Sequence, residues 1–233
     1  MEQLRVQKDP DEIAKIKRAV DLTAAVFEGM LDLVRPGALE RDLAAEIEYR
    51  MKRRGAEGPA FETIVASGAR GAWPHARPSA KRLKKNEFVV FDLGAILGHY
   101  ASDMTRTVFL GRPSSRARCL YEAVRSAQQR AIDAIRPGVV SGQVDSAARS
   151  ELRRHGLARH FVHGTGHGVG VEIHEEPRLG RGQRTQLAAG NVVTVEPGIY
   201  LPGRLGIRIE DVVVVREGKA EVLTPTTKEL ITL

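Results

Sequence analysis

A chain of 233 residues with 42% hydrophobic and 28% charged residues can bury a real core as one large or two small domains, and its balance is that of an ordinary globular protein. The longest apolar runs, FVVF and VVVV, are strand-length, which excludes a membrane-spanning helix, so no membrane partner is expected. The net charge of +7 raises nucleic-acid binding, but the basic residues are dispersed, KRLKK (81–85) and MKRR (51–54) carry no interleaved aromatics, and a solvated basic surface with no nucleic-acid partner is the better reading.

The opening MEQLRVQKDPDEIAK is charged and has no apolar signal core, so the expected location is the cytoplasm. Helical periodicity runs over residues 10–34, with Asp9-Pro10 as a good start and Arg35-Pro36-Gly37 as the stop. A second helix is predicted over about 39–54, closed by Gly55. FETIVA (61–66), FVVFDL (88–93) and TRTVFL (105–110) read as strands. A long helix then covers about 114–135 and contains Cys119, read as a buried structural thiol. As the only cysteine, it excludes an intrachain disulfide and a cysteine-rich zinc site, so any metal site must use His, Asp and Glu. A helix over about 141–155 follows, closed by Gly156, then strand candidates at 161–163, 169–174, 192–196 and 207–215.

The plan of the first half recurs in the second. Arg35-Pro36-Gly37 matches Arg136-Pro137-Gly138 and Gly55 matches Gly156, each pair 101 residues apart. VVFDLG (89–94) aligns with VVTVEPG (192–198) once one residue is allowed for. Two similar halves, about 10–112 and 113–225, are therefore expected rather than a solenoid, whose period would be far shorter. Each half supplies two carboxylates: Asp92 and Asp103 in the first, Glu196 and Glu210 in the second. Packed about a pseudo-twofold axis, all four can converge.

Four acidic groups share a dry pocket only if something positive joins them, because like charges at short range are costly. A hard, oxygen-rich set with an imidazole favours Mn²⁺, with Co²⁺, Fe²⁺ or Zn²⁺ as substitutes. Bridging carboxylates can hold two such ions about 3.5–4 Å apart with a water or hydroxide between them, a device suited to amide hydrolysis. The stretch HGTGHGVGVEIHEEP (163–177) supplies the imidazoles, and its glycines let the backbone pass close to a ligand and to neighbouring strands.

Taken together, FDLG (91–94), SDMTRT (102–107), HGTGHGVGVEIHEEP (163–177), VEPGIY (195–200) and RIED (208–211) resemble the metallopeptidases of the α+β pita-bread fold. That family includes methionine aminopeptidases, Xaa-Pro aminopeptidases and prolidases. The resemblance covers essentially the whole chain. It implies two pseudo-symmetric halves around a curved antiparallel sheet with flanking helices. It also implies Asp92, Asp103, His167, Glu196 and Glu210 as ligands of two divalent ions, with Asp103 and Glu210 bridging and Glu196 as general base. By the same resemblance His75, in WPHARP, would contact substrate near the scissile amide, His174 would hydrogen-bond the carbonyl oxygen, and His163 would line the pocket beyond the scissile bond. Arg208 is placed with the substrate-binding set. MTRT after Asp103, VEIHEEP, and Arg-Ile rather than a glutamine-aromatic pair before Glu210 all look like the Xaa-Pro-cleaving branch.

The expected activity is hydrolysis of the N-terminal Xaa-Pro bond of peptides or dipeptides. The alternatives are a methionine or general aminopeptidase and a binding module of the same fold that has lost the chemistry. The relatives of that branch normally carry an additional N-terminal domain, and residues 1–233 are expected to be a single catalytic domain without it. The family analogy leaves room for a homodimer.

Overall fold

The computed structural model describes residues 2–233. A short helix, α1 (Glu2–Arg5), precedes α2 (Pro10–Met30). The α2 start is a reciprocal capping box: Asp9 Oδ1 accepts from Glu12 N at 2.8 Å and Glu12 Oε2 accepts from Asp9 N at 2.9 Å. The helix ends at Met30 rather than at 34, tightening into a 3₁₀ turn at Leu31–Leu33. Pro36 lacks the N–H that would continue it and biases the residue before it away from helix. Helix α3 (Glu40–Arg53) completes the first pair.

The first half continues with β1 (Gly58–Pro59), β2 (Ile64–Ser67), β3 (Glu87–Leu93), β4 (Ala95–Leu97), β5 (Tyr100–Ala101) and β6 (Met104–Leu110). The second half opens with α4 (Ser115–Ala134) and α5 (Ser141–Arg154). It continues with β7 (Gly166–Gly168), β8 (Glu175–Leu179), β9 (Val192–Val195), β10 (Gly198–Leu201), β11 (Leu205–Arg208), β12 (Asp211–Val214) and β13 (Glu221–Val222).

Two antiparallel sheets carry the structure, one ordered β2-β3-β6 and the other β13-β12-β9-β7-β8. In each, a long strand and its return strand pair directly, β3 with β6 and β9 with β12, while a short hairpin (β4–β5 or β10–β11) projects between them. Every carboxylate of interest sits at such a departure or return point: Asp92 near the end of β3, Asp103 just before β6, Glu196 just after β9, Glu210 just before β12.

The helix pairs cover these sheets. Val26, Phe27, Met30, Ile47 and Met51 pack on Val89, Phe91 and Val108, with Phe27 and Phe91 edge to face at 5.8 Å. Val124, Ala127, Ala131, Ala148 and Leu152 pack on Val193, Val195 and Val213. Each fully buried large side chain contributes about 1.5–3 kcal/mol by leaving water. The first part of α2 crosses to the other half, burying Ile13, Ile16 and Val20 with Val169, Val192 and Val212. Among the described residues no helix is long and apolar enough to cross a membrane.

Several local expectations are corrected. Cys119 is exposed. It lies two residues, roughly 200° of helical rotation, from Tyr121, which opens the buried stripe of α4. Residues 161–163 form no strand, because the carbonyls of Phe161 and His163 are taken by the Arg149 guanidinium instead of a ladder. The strand expected at 169–174 is displaced to β7 and β8 on either side of a turn, in which Glu175 Oε1 accepts from Glu172 N at 3.1 Å. The run 207–215 breaks at Ile209-Glu210, where Glu210 N donates across the halves to Thr105 O at 3.1 Å.

Candidate metal centre and active site

Residues from both halves line a cavity of about 1280 Å³. Asp92, Asp103, His167, Glu196, Glu210, His75, His163, His174 and Arg208 all face it. Within it, ligand atoms of Asp103, His167 and Glu210 lie within 4.8 Å of one another, and all three residues are buried. Glu196 joins them through His167, whose Nε2 stands 3.5 Å from Glu196 Oε1 and 3.5 Å from Asp103 Oδ2. Asp92 stands apart, with its Oδ2 turned to the Arg208 guanidinium.

The approach of His167 depends on its glycines. A Cβ on Gly166 would lie 1.9 Å from Thr194 O, so only glycine lets β7 run this close to the chain at Thr194. The His167 amide is held by Thr194 Oγ1 at 3.1 Å. Its Nδ1 faces Gly168 O at 2.9 Å. A carbonyl can only accept, so Nδ1 carries the hydrogen and Nε2 keeps its lone pair for the cluster. Burial pushes the imidazole down to about 4, which keeps it neutral.

The carboxyls respond oppositely. Asp103 is driven well above the usual range by burial and then by Glu210, Asp92 and Glu196. Glu210 is raised well above its ordinary value by burial and then by Glu196 and Asp92. Burial raises Glu196 to about 8. Burial also raises Asp92, against the opposing charge of Arg208. In the bare chain Asp103, Glu196 and Glu210 hold their protons to higher pH than they would in water. Two carboxyl oxygens of the set, Asp92 Oδ1 and Glu210 Oε1, are buried with no hydrogen-bond partner among the described residues. A buried, unpartnered acceptor is expensive. Carboxylate oxygens pointing at nothing, next to a neutral imidazole lone pair, fit divalent cations.

A second layer fixes these groups. Thr105 Oγ1 donates to Glu210 Oε2 at 2.6 Å and accepts from Arg208 Nε at 3.0 Å. Arg208 Nη1 donates to Tyr200 Oη at 2.8 Å and to Pro74 O at 3.1 Å. Tyr200 Oη in turn meets His163 Nε2 at 2.7 Å, while His163 Nδ1 faces Gly164 O at 2.7 Å. Arg208 thus spends four of its five N–H groups on the protein, and His163 has both ring nitrogens engaged, so each shapes the cavity. Arg106, which is 1% exposed, donates to the Glu210 carbonyl at 2.5 Å and to Asp211 Oδ1 at 2.7 Å. His174 remains exposed, its ring 4.4 Å centroid to centroid from His167. His75 is also exposed, on the loop between β2 and β3.

Sequence reasoning assigned no role to Thr105, Tyr200 or Arg149. Thr105 carried a weak signal, since two residues past Asp103 strand alternation returns it to the same face. Tyr200 lay inside VEPGIY without a stated partner. Asp145 and Arg149, four apart on α5, are both buried, with Arg149 Nε 2.7 Å from Asp145 Oδ2.

Residues 14–217 match metallopeptidase family M24. A Xaa-Pro dipeptidase of Pyrococcus furiosus is 45% identical over 228 residues, which cover 98% of this chain and 66% of that protein. The structure of a Xaa-Pro dipeptidase from Bacillus anthracis superposes with a TM-score of 0.97 at 42% identity, covering 100% of this chain and 65% of that one. The crystal structure of an X-Pro aminopeptidase from Thermotoga maritima gives 0.97 at 40% identity, over 100% and 66% respectively. The chain thus spans about two-thirds of the length of these relatives. With a family match over most of its length and near-superposable relatives, the chain belongs to metallopeptidase family M24 and has the α+β pita-bread fold.

Proposed function

We propose that this chain is a metal-dependent peptidase domain that hydrolyses the bond between an N-terminal residue and a following proline. The observation that carries this reading is the buried Asp103–His167–Glu210 cluster, joined by Glu196 and Asp92 in one cavity and left with two unpartnered carboxylate oxygens. The named relatives, Xaa-Pro dipeptidases and an X-Pro aminopeptidase, support the substrate class. Asp92, Asp103, His167, Glu196 and Glu210 would hold two divalent ions, with Mn²⁺ the first choice for so oxygen-rich a set. Ions held there polarise a carbonyl and make water acidic enough to attack near neutral pH.

The chain's own groups divide the remaining work. Glu196 Oε1, beside His167 Nε2, takes the proton of the attacking water. His174, whose imidazole is lowered by partial desolvation at the cavity wall and then by Arg178, donates a ring N–H to the carbonyl oxygen as charge builds there. His75 contacts the substrate near the scissile amide. Arg208 orients Asp92 directly, Glu210 through Thr105 and His163 through Tyr200, so His163 walls the pocket beyond the bond that breaks.

A panel of an Xaa-Pro dipeptide, an Xaa-Pro tripeptide and a Met-Ala tripeptide, offered to the Mn²⁺-loaded protein, tests the reading. Cleavage confined to the proline peptides is expected, and the dipeptide separates dipeptidase from aminopeptidase behaviour. Cleavage of Met-Ala at a matching rate would replace the proposal with a general aminopeptidase.

A further inference from the structure

One carboxylate far from the cluster in sequence fastens the whole loop that presents His75. Glu40 is the first residue of α3 and is 0% exposed. An acid in the first turn normally complements the helix dipole. Here the carboxylate does something else. Its Oε1 accepts from Ser67 N at 2.8 Å and Ser67 Oγ at 2.8 Å. Its Oε2 accepts from Arg70 Nε at 2.9 Å, Ser79 N at 3.3 Å and Ser79 Oγ at 2.6 Å. Ser67 ends β2 and Ser79 lies beyond the loop, so a single side chain joins entry and exit. The backbone repeats the join, since Glu40 N donates to Lys81 O and Arg41 N to Ser79 O, both at 3.1 Å.

Within the first half Ala76 also packs on Ile64 and Ala66 of β2, and two further anchors lie on β11. Pro74 O, adjacent to His75, accepts from Arg208 Nη1 at 3.1 Å. Gly206 packs so tightly under Gly71 that a Cβ there would lie 1.7 Å from Gly71 O. The His75 loop is therefore stretched between a clamp at its base, in the first half, and a rest on the second half.

We propose that Glu40 is a positioning residue: by closing the base of the 67–79 loop it sets where His75 stands in the cavity. The inference rests on the substrate-contacting role given to His75 above. The Glu40 carboxylate bonds to Ser67, Arg70 and Ser79 and to no metal ligand, and Pro74 O keeps its own bond from Arg208, so the loss is expected to fall mainly on His75. A misplacement on the order of 1 Å at a contacting group is enough to cost about a hundredfold in rate.

The test uses the full chain with Glu40→Gln, which keeps the volume but turns a donor toward Arg70 and Ser79. Amide exchange of residues 68–78 should accelerate about tenfold or more, as expected of a loop released from its anchor, while β3 and β12 are unchanged. Mn²⁺ affinity should stay as in the parent. Activity on an Xaa-Pro dipeptide should fall at least about tenfold. The decisive readout is a double-mutant cycle: Glu40→Gln added to His75→Ala should cost less than about twofold more, whereas added to His163→Ala it should cost its full factor. Full additivity with His75→Ala, or unchanged exchange over 68–78, overturns the proposal. If Glu40→Gln fails to fold, Ser79→Ala, which removes the hydroxyl that donates to Glu40 Oε2 and accepts from Lys81 N, must show the same pattern at smaller size. Absence of any peptidase activity in the parent protein would defeat the functional reading instead, and the exchange result would then decide the clamp by itself.

Discussion

Removing divalent ions should make the protein less stable as pH rises from 6.5 to 8. Burial holds Glu196 near 8 in the bare chain, against an ordinary 4.5, and drives Asp103 and Glu210 well above their usual range. A carboxyl raised in this way keeps a proton that the unfolded chain has released. Each such group therefore weakens folding as pH climbs from its unfolded value through its folded one. His163 and His167, lowered by burial to about 4, and His174, lowered less, act in the opposite sense, chiefly below about pH 7.5, where the unfolded chain takes up protons that the folded one refuses. Between 6.5 and 8 that opposition fades and the carboxyls dominate. One retained proton is worth about 1.4 kcal/mol per pH unit, and Glu196 releases half of its own by pH 8, so it alone accounts for about 1.5 kcal/mol over this window, or roughly 3–6 °C in Tm for a chain of this size. Melting curves in chelator and in saturating Mn²⁺, taken at several pH values across the window, measure it. The fall should appear in chelator and vanish with Mn²⁺, whose charge keeps the carboxylates ionised. A metal-free Tm that is flat or rises over this range, or an equal fall with Mn²⁺ present, would refute the reasoning.

Three substitutions probe separate parts of the site. His174→Ala should lower kcat with little change in bound metal, measured by turnover and by metal analysis on one preparation; matching losses of both would make His174 a ligand. Arg208→Met should cost the metal-free protein about 3–5 kcal/mol in denaturant unfolding, because it strands the Asp92 carboxylate in a buried site, and less when Mn²⁺ is bound. Gly166→Ala places a Cβ 1.9 Å from Thr194 O and must push β7 away from Thr194. It should cost about 1–3 kcal/mol or more and weaken Mn²⁺ binding through His167; a calorimetric titration matching the parent would contradict that geometry.

What the sequence made legible follows from how local each signal is. The α2 start was readable because Asp9, Pro10 and Glu12 act within one turn. The placement of Asp92 and Glu196 at matching strand ends was readable because apolar runs flank them, and a carboxylate there is otherwise costly. The hairpins β4–β5 and β10–β11 between the paired strands were not foreseen, being only two to four residues per strand. Positions 161–163 misled because three residues of strand-like composition do not reveal that a guanidinium on α5 takes their carbonyls. Arg208 was recognised, but its partners at Asp92 and Thr105 lie more than a hundred residues away, so its orienting role emerges only in three dimensions. Glu40 is the extreme case, since its sequence context reads as an ordinary first-turn acid.

The most direct test of the account is a titration of Mn²⁺ into metal-stripped protein, following bound ions per chain and release of the N-terminal residue from an Xaa-Pro dipeptide in the same samples, with Glu196→Ala in parallel. The account predicts no turnover without metal, turnover that rises with bound Mn²⁺ to a plateau at two ions per chain, and none from Glu196→Ala at any loading. Hydrolysis by the metal-free chain, or by Glu196→Ala, would contradict it.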